Sequence, residues 1–169
     1  MIINRVWNMP SKNTFEILPI KQLISKYIIG KEVVIDPFAN RNTIANITND
    51  LDPQYDTIFN KDAVDFLKII PSDSVDMVLY DPPYSSRQVS ESYKKLGMSV
   101  DKTTTQSSYW SEQKKEIARI TTKGAIVISF GWNSCGVGKV RGFEIVEILM
   151  VSHGGNHYDT ICTVEQKVI

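Results

Sequence analysis

The stretch Val75-Asp76-Met77-Val78-Leu79-Tyr80-Asp81-Pro82-Pro83-Tyr84 decides how the rest of the chain is read. Its first half is apolar or aromatic except for Asp76, the pattern of a strand buried on both faces. Its second half cannot continue a sheet. Two successive prolines supply no N–H and hold φ at about −65°. The strand therefore ends in an acid, a rigid turn and an aromatic ring. In an open α/β sheet, ligands bind at the C-terminal ends of the strands.

Upstream, the same pattern recurs in weaker form. Val33-Val34-Ile35 reads as a short buried strand ended by Asp36-Pro37-Phe38. Ile44 to Thr48 reads as a second strand running into Asn49-Asp50-Leu51-Asp52-Pro53, and Thr57-Ile58-Phe59 as a third. Ala63 to Ile70 is a helix, with Asp62 as N-cap and Pro71 after it. Pro19 opens an earlier helix whose apolar stripe is Ile20, Leu23, Ile24, Tyr27 and Ile28, stopped by Gly30. Residues 1–18 read as irregular, broken by Pro10, Ser11 and Asn13. About five residues separate Phe38 from the second strand, whereas a parallel crossover usually takes about 10–12. The first crossover is therefore shortened, to a single helical turn, or the second strand pairs differently.

Downstream, residues 85–107 show no period and read as a long polar loop, a length that often marks a lid or binding loop. Tyr109 to Ile120 is a helix capped by Ser107 or Ser108 and closed by Lys123-Gly124. Ala125 to Phe130 is a central strand, and Gly131 to Gly142 a glycine-rich loop. Phe143–Val151 and Thr160–Val168 form a hairpin across residues 152–159. Strands alternating with helices predict one α/β domain over residues 1–169. Its sheet is mainly parallel, with one antiparallel strand near the C-terminus.

Composition fits a globular domain, with 42% hydrophobic and 22% charged residues and a formal net charge of zero. The charge is unevenly spread. Residues 33–84 hold nine acids against three bases, while 85–115 hold six bases against three acids. An acidic half suits a cationic ligand and a basic segment suits a polyanion. The two cysteines, Cys135 and Cys162, make neither a disulfide framework nor a metal cluster. His153 and His157 flank Gly154-Gly155 and read as turn residues, so no metal site is expected. Gly136-x-Gly138-Lys139 lacks the full spacing of a phosphate loop. With no signal peptide at Met1–Arg5 and no apolar run of about 18 residues, no membrane segment is expected and a cytoplasmic setting follows.

The stretch ending in Asp81-Pro82-Pro83-Tyr84 suits one kind of chemistry. An exocyclic amine of a nucleobase is a poor nucleophile because its lone pair is delocalised into the ring. Acceptors for both of its N–H bonds pull the nitrogen toward tetrahedral geometry. Asp81 can supply one acceptor and the Pro82 carbonyl the other, while Tyr84 can stack on a base taken out of its helix. Charge developing on nitrogen strengthens both contacts in the transition state.

These four residues, after a hydrophobic strand, resemble the catalytic motif of amino-methylating DNA methyltransferases, above all the adenine-N6 group. The resemblance makes Asp81, Pro82, Pro83 and Tyr84 the catalytic set and S-adenosylmethionine the cofactor. Asp36-Pro37-Phe38, followed by Ala39, resembles the start of the cofactor-binding motif after the first strand. Asp50 or Asp52 matches the acid on the cofactor ribose, with Asp50 directly ending its strand. Asp62, followed by Ala63, matches the acid at the cofactor adenine. Asn13-Thr14-Phe15 sits where such enzymes close over the cofactor methionine. Where the family has Gly-x-Gly, this chain has Ala39-Asn40-Arg41-Asn42. Asn tolerates the left-handed conformation that such a turn uses, and Arg41 falls near the expected sulfonium.

The implied fold is a Rossmann-like class I methyltransferase sheet, mainly parallel, with one antiparallel strand and a shortened first crossover. The implied activity is methyl transfer to adenine N6 in DNA, site-specific or non-specific, by a small phage- or prophage-type enzyme in a bacterial cytoplasm. No segment matches a target-recognition domain. Contacts to DNA would then come from Arg87, Lys94, Lys95 and Lys102 near phosphates and Tyr93 near a base, with Trp132 and Asn133 lining the target pocket and a homodimer adding more. Two alternatives stay open: a catalytically weak regulatory module that binds cofactor or nucleic acid, and a methyltransferase acting on RNA or a nucleotide.

Overall fold

A computed structural model of the 169-residue chain describes residues 1–101 and 106–169. Seven strands are described: β1 (Ile2–Trp7), β2 (Val34–Asp36), β3 (Ile47–Thr48), β4 (Val75–Tyr80), β5 (Thr121–Gly131), β6 (Phe143–Ser152) and β7 (Thr160–Lys167). Four α-helices are described beside them: α1 (Leu18–Ile28), α2 (Ala63–Ile69), α3 (Ser86–Lys95) and α4 (Ser108–Ile120). The strands form one sheet in the order β1-β6-β7-β5-β4-β2-β3. All neighbouring pairs are parallel except β5–β7 and β6–β7, so β7 is the one strand running against the rest.

The opening stretch is β4, and its continuous apolar run has a packing cause. Met77 and Leu79 face the layer that contains Ile20, Leu23 and Ile24 of α1. Val75, Val78 and Tyr80 face Phe66 and Leu67 of α2 and Ile117 and Ile120 of α4. Because both faces are covered, no polar alternation survives. Tyr80 keeps its hydroxyl satisfied within that core by donating to Gln113 Oε1 at 2.7 Å.

The helices start and stop where local chemistry dictates. Pro19 lies in the first turn of α1, and Gly30 follows it with φ 75°. Asp62 caps α2 by accepting the Val64 N–H at 2.9 Å.

Several sequence-based expectations are replaced. Residues 2–7, read as irregular, form β1 against β6, from Ile2 opposite Glu147 to Trp7 opposite Ser152. All six are exposed, so an edge strand leaves no alternation to detect. The second strand begins at Ile47 rather than Ile44 and is two residues long. It does pair in parallel with β2, and the crossover, residues 37–46, contains no helix. The third expected strand is an isolated bridge between Asn49 and Phe59. The loop expected over 85–107 contains α3. Lys102, expected near phosphate, lies outside the described residues.

Candidate active site

A cleft of about 620 Å³ opens at the C-terminal ends of β2, β3 and β4, a size that holds a cofactor-sized ligand. It is lined by Pro37, Phe38, Asp50, Asp62, Ala63, Asp81, Pro82, Pro83 and Tyr84, so most of the expected residues meet there. Asp52 lines it as well.

Asp36, Ala39 and Phe15 stand behind the wall, all almost wholly buried. Phe15 packs on Phe130, with ring centroids 5.0 Å apart, while its neighbours Asn13 and Thr14 reach the cleft. Asp36 Oδ1 accepts the Phe38 N–H at 3.0 Å. Its Oδ2 is buried without a hydrogen-bond partner. Burial pushes the Asp36 carboxyl well above the ordinary range, and the charges of Asp81 and Asp50 add to the rise.

Residues 39–42 form a closed turn. Asn40 is left-handed, with φ 52°, as the amide side chain permits. Its N–H donates to Asp50 Oδ2 at 2.9 Å, and Asp50 Oδ1 accepts the Asp52 N–H at 2.9 Å. Asn42 N–H closes onto the Ala39 carbonyl at 2.8 Å. The Asn42 side chain accepts from Asn13 Nδ2 at 2.9 Å, which fastens the 11–14 segment over the turn. Arg41 lines a second cavity of about 590 Å³ beside the cleft, together with Lys12, Lys21 and Tyr55.

One organising residue was missed. Asn49 is completely buried. Its side chain donates to the carbonyls of Pro37 and Lys61 and accepts the Lys61 N–H, each at 3.0 Å. It therefore ties the exit of β2 to the loop that carries Asp62. An asparagine at the end of a β-branched strand was the available signal.

Asp81 is held at the mouth of β4, where burial raises its carboxyl above the ordinary range; the hydroxyls of Tyr84 and Thr14 offset part of that rise. Tyr84 Oη donates to Asp81 Oδ1 at 2.5 Å, and the Tyr84 N–H donates to Gln88 Oε1 at 2.7 Å. The Trp110 indole N–H donates to the Pro83 carbonyl at 2.9 Å, which commits that oxygen and pins the rigid turn.

The residues expected to touch nucleic acid divide into two groups. Tyr93 is buried, and its hydroxyl donates to Asp62 Oδ2. Lys95 Nζ lies 3.3 Å from Asp52 Oδ2. Both belong to the α3 wall of the cleft, along with Gln88, Glu91 and Ser92. Arg87 is exposed and paired with Glu91 at 2.8 Å, and Lys94 is exposed in the last turn of α3. Trp132 and Asn133 follow β5. Trp132 sits edge-on to Tyr84, with ring centroids 5.6 Å apart. Asn133 accepts the Cys135 N–H at 3.0 Å.

The glycine-rich loop serves the interior. The N–H groups of Val137 and Gly138 donate to the buried Glu165 carboxylate at 2.6 and 2.9 Å. His153, also buried, sits between the Asn8 carbonyl at 2.9 Å and the Thr160 hydroxyl at 2.8 Å. Among the described residues no group of acids, histidines and cysteines could hold a metal ion, and no helix is long and apolar enough to cross a membrane.

No family model and no curated protein matches the chain. Solved structures match it in fold. The 1,6-didemethyltoxoflavin-N1-methyltransferase of Burkholderia thailandensis, with S-adenosylhomocysteine bound, is 10% identical over 89% of this chain and 77% of its own, with a TM-score of 0.62. The N-methyltransferase NodS of Bradyrhizobium japonicum is 11% identical over 95% of this chain and all of its own, with a TM-score of 0.58. TrmN of Thermus thermophilus is 18% identical over 88% of this chain, with a TM-score of 0.55, and this chain spans about half of TrmN's length (48%). The fold is thus the Rossmann-like class I methyltransferase fold.

Proposed function

We propose that this protein transfers a methyl group from S-adenosylmethionine to the N6 amine of adenine in DNA. One observation carries the reading. Asp81, a carboxylate pushed to higher pKa by burial, opens with Tyr84 onto the same cleft as Asp50, Asp52 and Asp62. A strand-end acid beside a stacking ring is what an exocyclic amine needs, and flanking acids are what a cationic, hydroxyl-rich cofactor needs.

The donor set fits S-adenosylmethionine. Asp50 or Asp52 would take its ribose hydroxyls, Asp62 its adenine amine, and Asn13-Thr14 its methionine end. The unpartnered buried Oδ2 of Asp36 places an uncompensated acceptor beneath that cleft. The cofactor supplies a methyl made electrophilic by a positively charged sulfur. Asp81 and the Pro82 carbonyl accept the two amine N–H bonds and orient the nitrogen lone pair. The raised basicity of Asp81 suits it to take the proton that the nitrogen sheds as it gains a methyl. For the amine to reach Oδ1, Tyr84 must rotate its hydroxyl away, which also frees its ring to stack on the base. The DNA itself, and a second copy of the chain, are the partners this reading calls for.

The fold and the cleft serve RNA or nucleotide acceptors equally well, and the zero net charge favours neither polymer. Asn40 at φ 52° adopts the left-handed conformation that a glycine turn uses, and calorimetric titration with cofactor separates an enzyme from a regulatory module. Labelled methyl transfer to unmethylated DNA, RNA and adenosine, with wild type beside Asp81→Ala, tests the proposal. Transfer to adenine N6 in DNA that Asp81→Ala abolishes supports it. Transfer confined to RNA or nucleoside moves the substrate, and no transfer to any acceptor overturns it.

A further inference from the structure

Three aromatic rings form a track that climbs from the cleft to open surface. Tyr84, half-buried, meets Trp132 edge-on with ring centroids 5.6 Å apart, and Trp132 meets Tyr158 with centroids 4.6 Å apart, tilted by 36°. Exposure rises along the row: Trp132 is 38% exposed and Tyr158 71%. The three residues come from different places in the chain, namely the turn after β4, the exit of β5 and the loop between β6 and β7. No single element's packing explains their alignment. Neither Trp132 nor Tyr158 lines the cleft. A tyrosine this exposed contributes little to the core, and contiguous exposed aromatic surface marks a binding site.

We infer that Trp132 and Tyr158 bind unpaired nucleobases next to the target base, so that the substrate is a single-stranded nucleic acid. This rests on the reading of Tyr84 as the ring beside the reacting base. The chemistry favours bases over other flat ligands, because the row is continuous with that ring and repeats it outward. Trp132 and Tyr158 already touch each other, so a base stacks on the outer face of a ring rather than between the two. Each such stack is sequence-tolerant, since every base has a π-face.

Local charge favours stacking over phosphate contacts. The track's polar neighbours in sequence are the exposed Asn133 and His157 and the partly exposed Asp159. Arg5, beside the same loop, is held by the Ser152 hydroxyl at 2.9 Å and faces Asp159 at 3.8 Å. A duplex would hide its base faces from these rings and call for a phosphate-binding stripe instead.

The test is direct binding without cofactor. Fluorescence anisotropy is read with labelled 12-nucleotide single-stranded DNA, the matching RNA and the duplex, from low to moderate salt. The proteins are wild type, Trp132→Ala, Tyr158→Ala and Tyr158→Phe. Trp132→Ala and Tyr158→Ala should each weaken single-strand binding by roughly 5- to 100-fold. Tyr158→Phe should restore it, because the ring and not the hydroxyl makes the contact. The salt dependence should be shallow and the duplex should bind more weakly than the single strand. The DNA and RNA arms separate the two sugars, and a ring-dependent loss in either supports the track.

Binding unchanged in Tyr158→Ala, or a duplex bound more tightly than a single strand, would overturn it. The thermal midpoint of each variant reports its folding, and Tyr158, being largely exposed, can be truncated without a core cost. Because no methyl transfer is measured, the two readings fail separately. Ring-dependent binding without any transfer would sink the methylation proposal alone. Transfer with ring-independent binding would sink the track alone.

Discussion

The hydroxyl of Tyr84 donates to the carboxylate of Asp81 at 2.5 Å, so the two functional side chains of the tetrapeptide satisfy each other. That contact lowers the Asp81 pKa against the larger effect of burial, which raises it. Activity should require the Asp81 carboxylate. Its acid limb should therefore lie above the ordinary aspartate value of about 4. Tyr84→Phe removes the hydroxyl and should move that limb to higher pH while the ring still stacks. Tyr84→Ala should lose roughly 5- to 100-fold in kcat/KM, the worth of one base stack. A pH–rate profile of the three proteins decides, and an acid limb that stays put in Tyr84→Phe would contradict the assignment.

Asn40 and Asp50 test the altered turn. Asn40 has φ 52° and its N–H rests on Asp50 Oδ2. Asn40→Gly should be tolerated within about 0.5 kcal/mol, whereas Asn40→Val should cost about 1–2 kcal/mol through left-handed strain. Asp50→Ala leaves the N–H groups of Asn40 and Asp52 without their acceptor and should weaken cofactor binding more than it lowers the melting temperature. Calorimetric titration with the cofactor, alongside thermal melts, separates the two effects.

Gly136 and Glu165 test the glycine-rich loop. Gly136 has φ 52°, and a Cβ there would lie 2.3 Å from Glu165 Oε2. Gly136→Ala should destabilise by about 1–3 kcal/mol. For a chain of this size that is roughly 2–4 °C of thermal midpoint per kcal/mol. An unchanged midpoint would show that the buried carboxylate does not hold this loop.

Asp36 gives a stability signature. Its folded carboxyl lies well above the ordinary range, chiefly through burial. A raised folded pKa contributes stability that is complete below the unfolded value, about 4, and is lost as pH rises through the folded value. Asp36→Asn carries no such charge and keeps an acceptor for the Phe38 N–H. The variant should be the more stable protein at pH 7 to 8, by about 1–3 kcal/mol, and the gain should shrink toward pH 4. Urea melts at four pH values check this; a difference that does not vary with pH would mean that the Asp36 charge is compensated.

What the sequence made legible was whatever is buried on both sides or fixed by local chemistry. β4 was readable because α1 covers one face and α2 with α4 the other. Asp62 was readable as a cap because it does cap α2. The edges were not. β1 exposes every residue and shows no period, and β3 is only two residues long. α3 was hidden for a different reason. Its buried stripe is only Val89 and Tyr93. The Ser85 cap, the Tyr84–Gln88 contact and the ties of Tyr93 to Asp62 and Lys95 to Asp52 hold it in place. Such tertiary partners are invisible to periodicity. The same ties place Tyr93 and Lys95, expected near nucleic acid, in the wall of the cleft.

The outermost strand also sets an order of events. Ile2 pairs with Glu147, so this strand needs a partner made 145 positions later. At roughly 5–20 residues per second, it waits on the order of ten seconds on the ribosome before β6 exists. Non-local pairing of this kind is slow to form. Until then the backbone N–H and C=O groups of Ile2 to Trp7 have no β6 partner. Pulse-labelled hydrogen exchange during refolding should find the amides that join β1 to β6 protected after those that join β5 to β4.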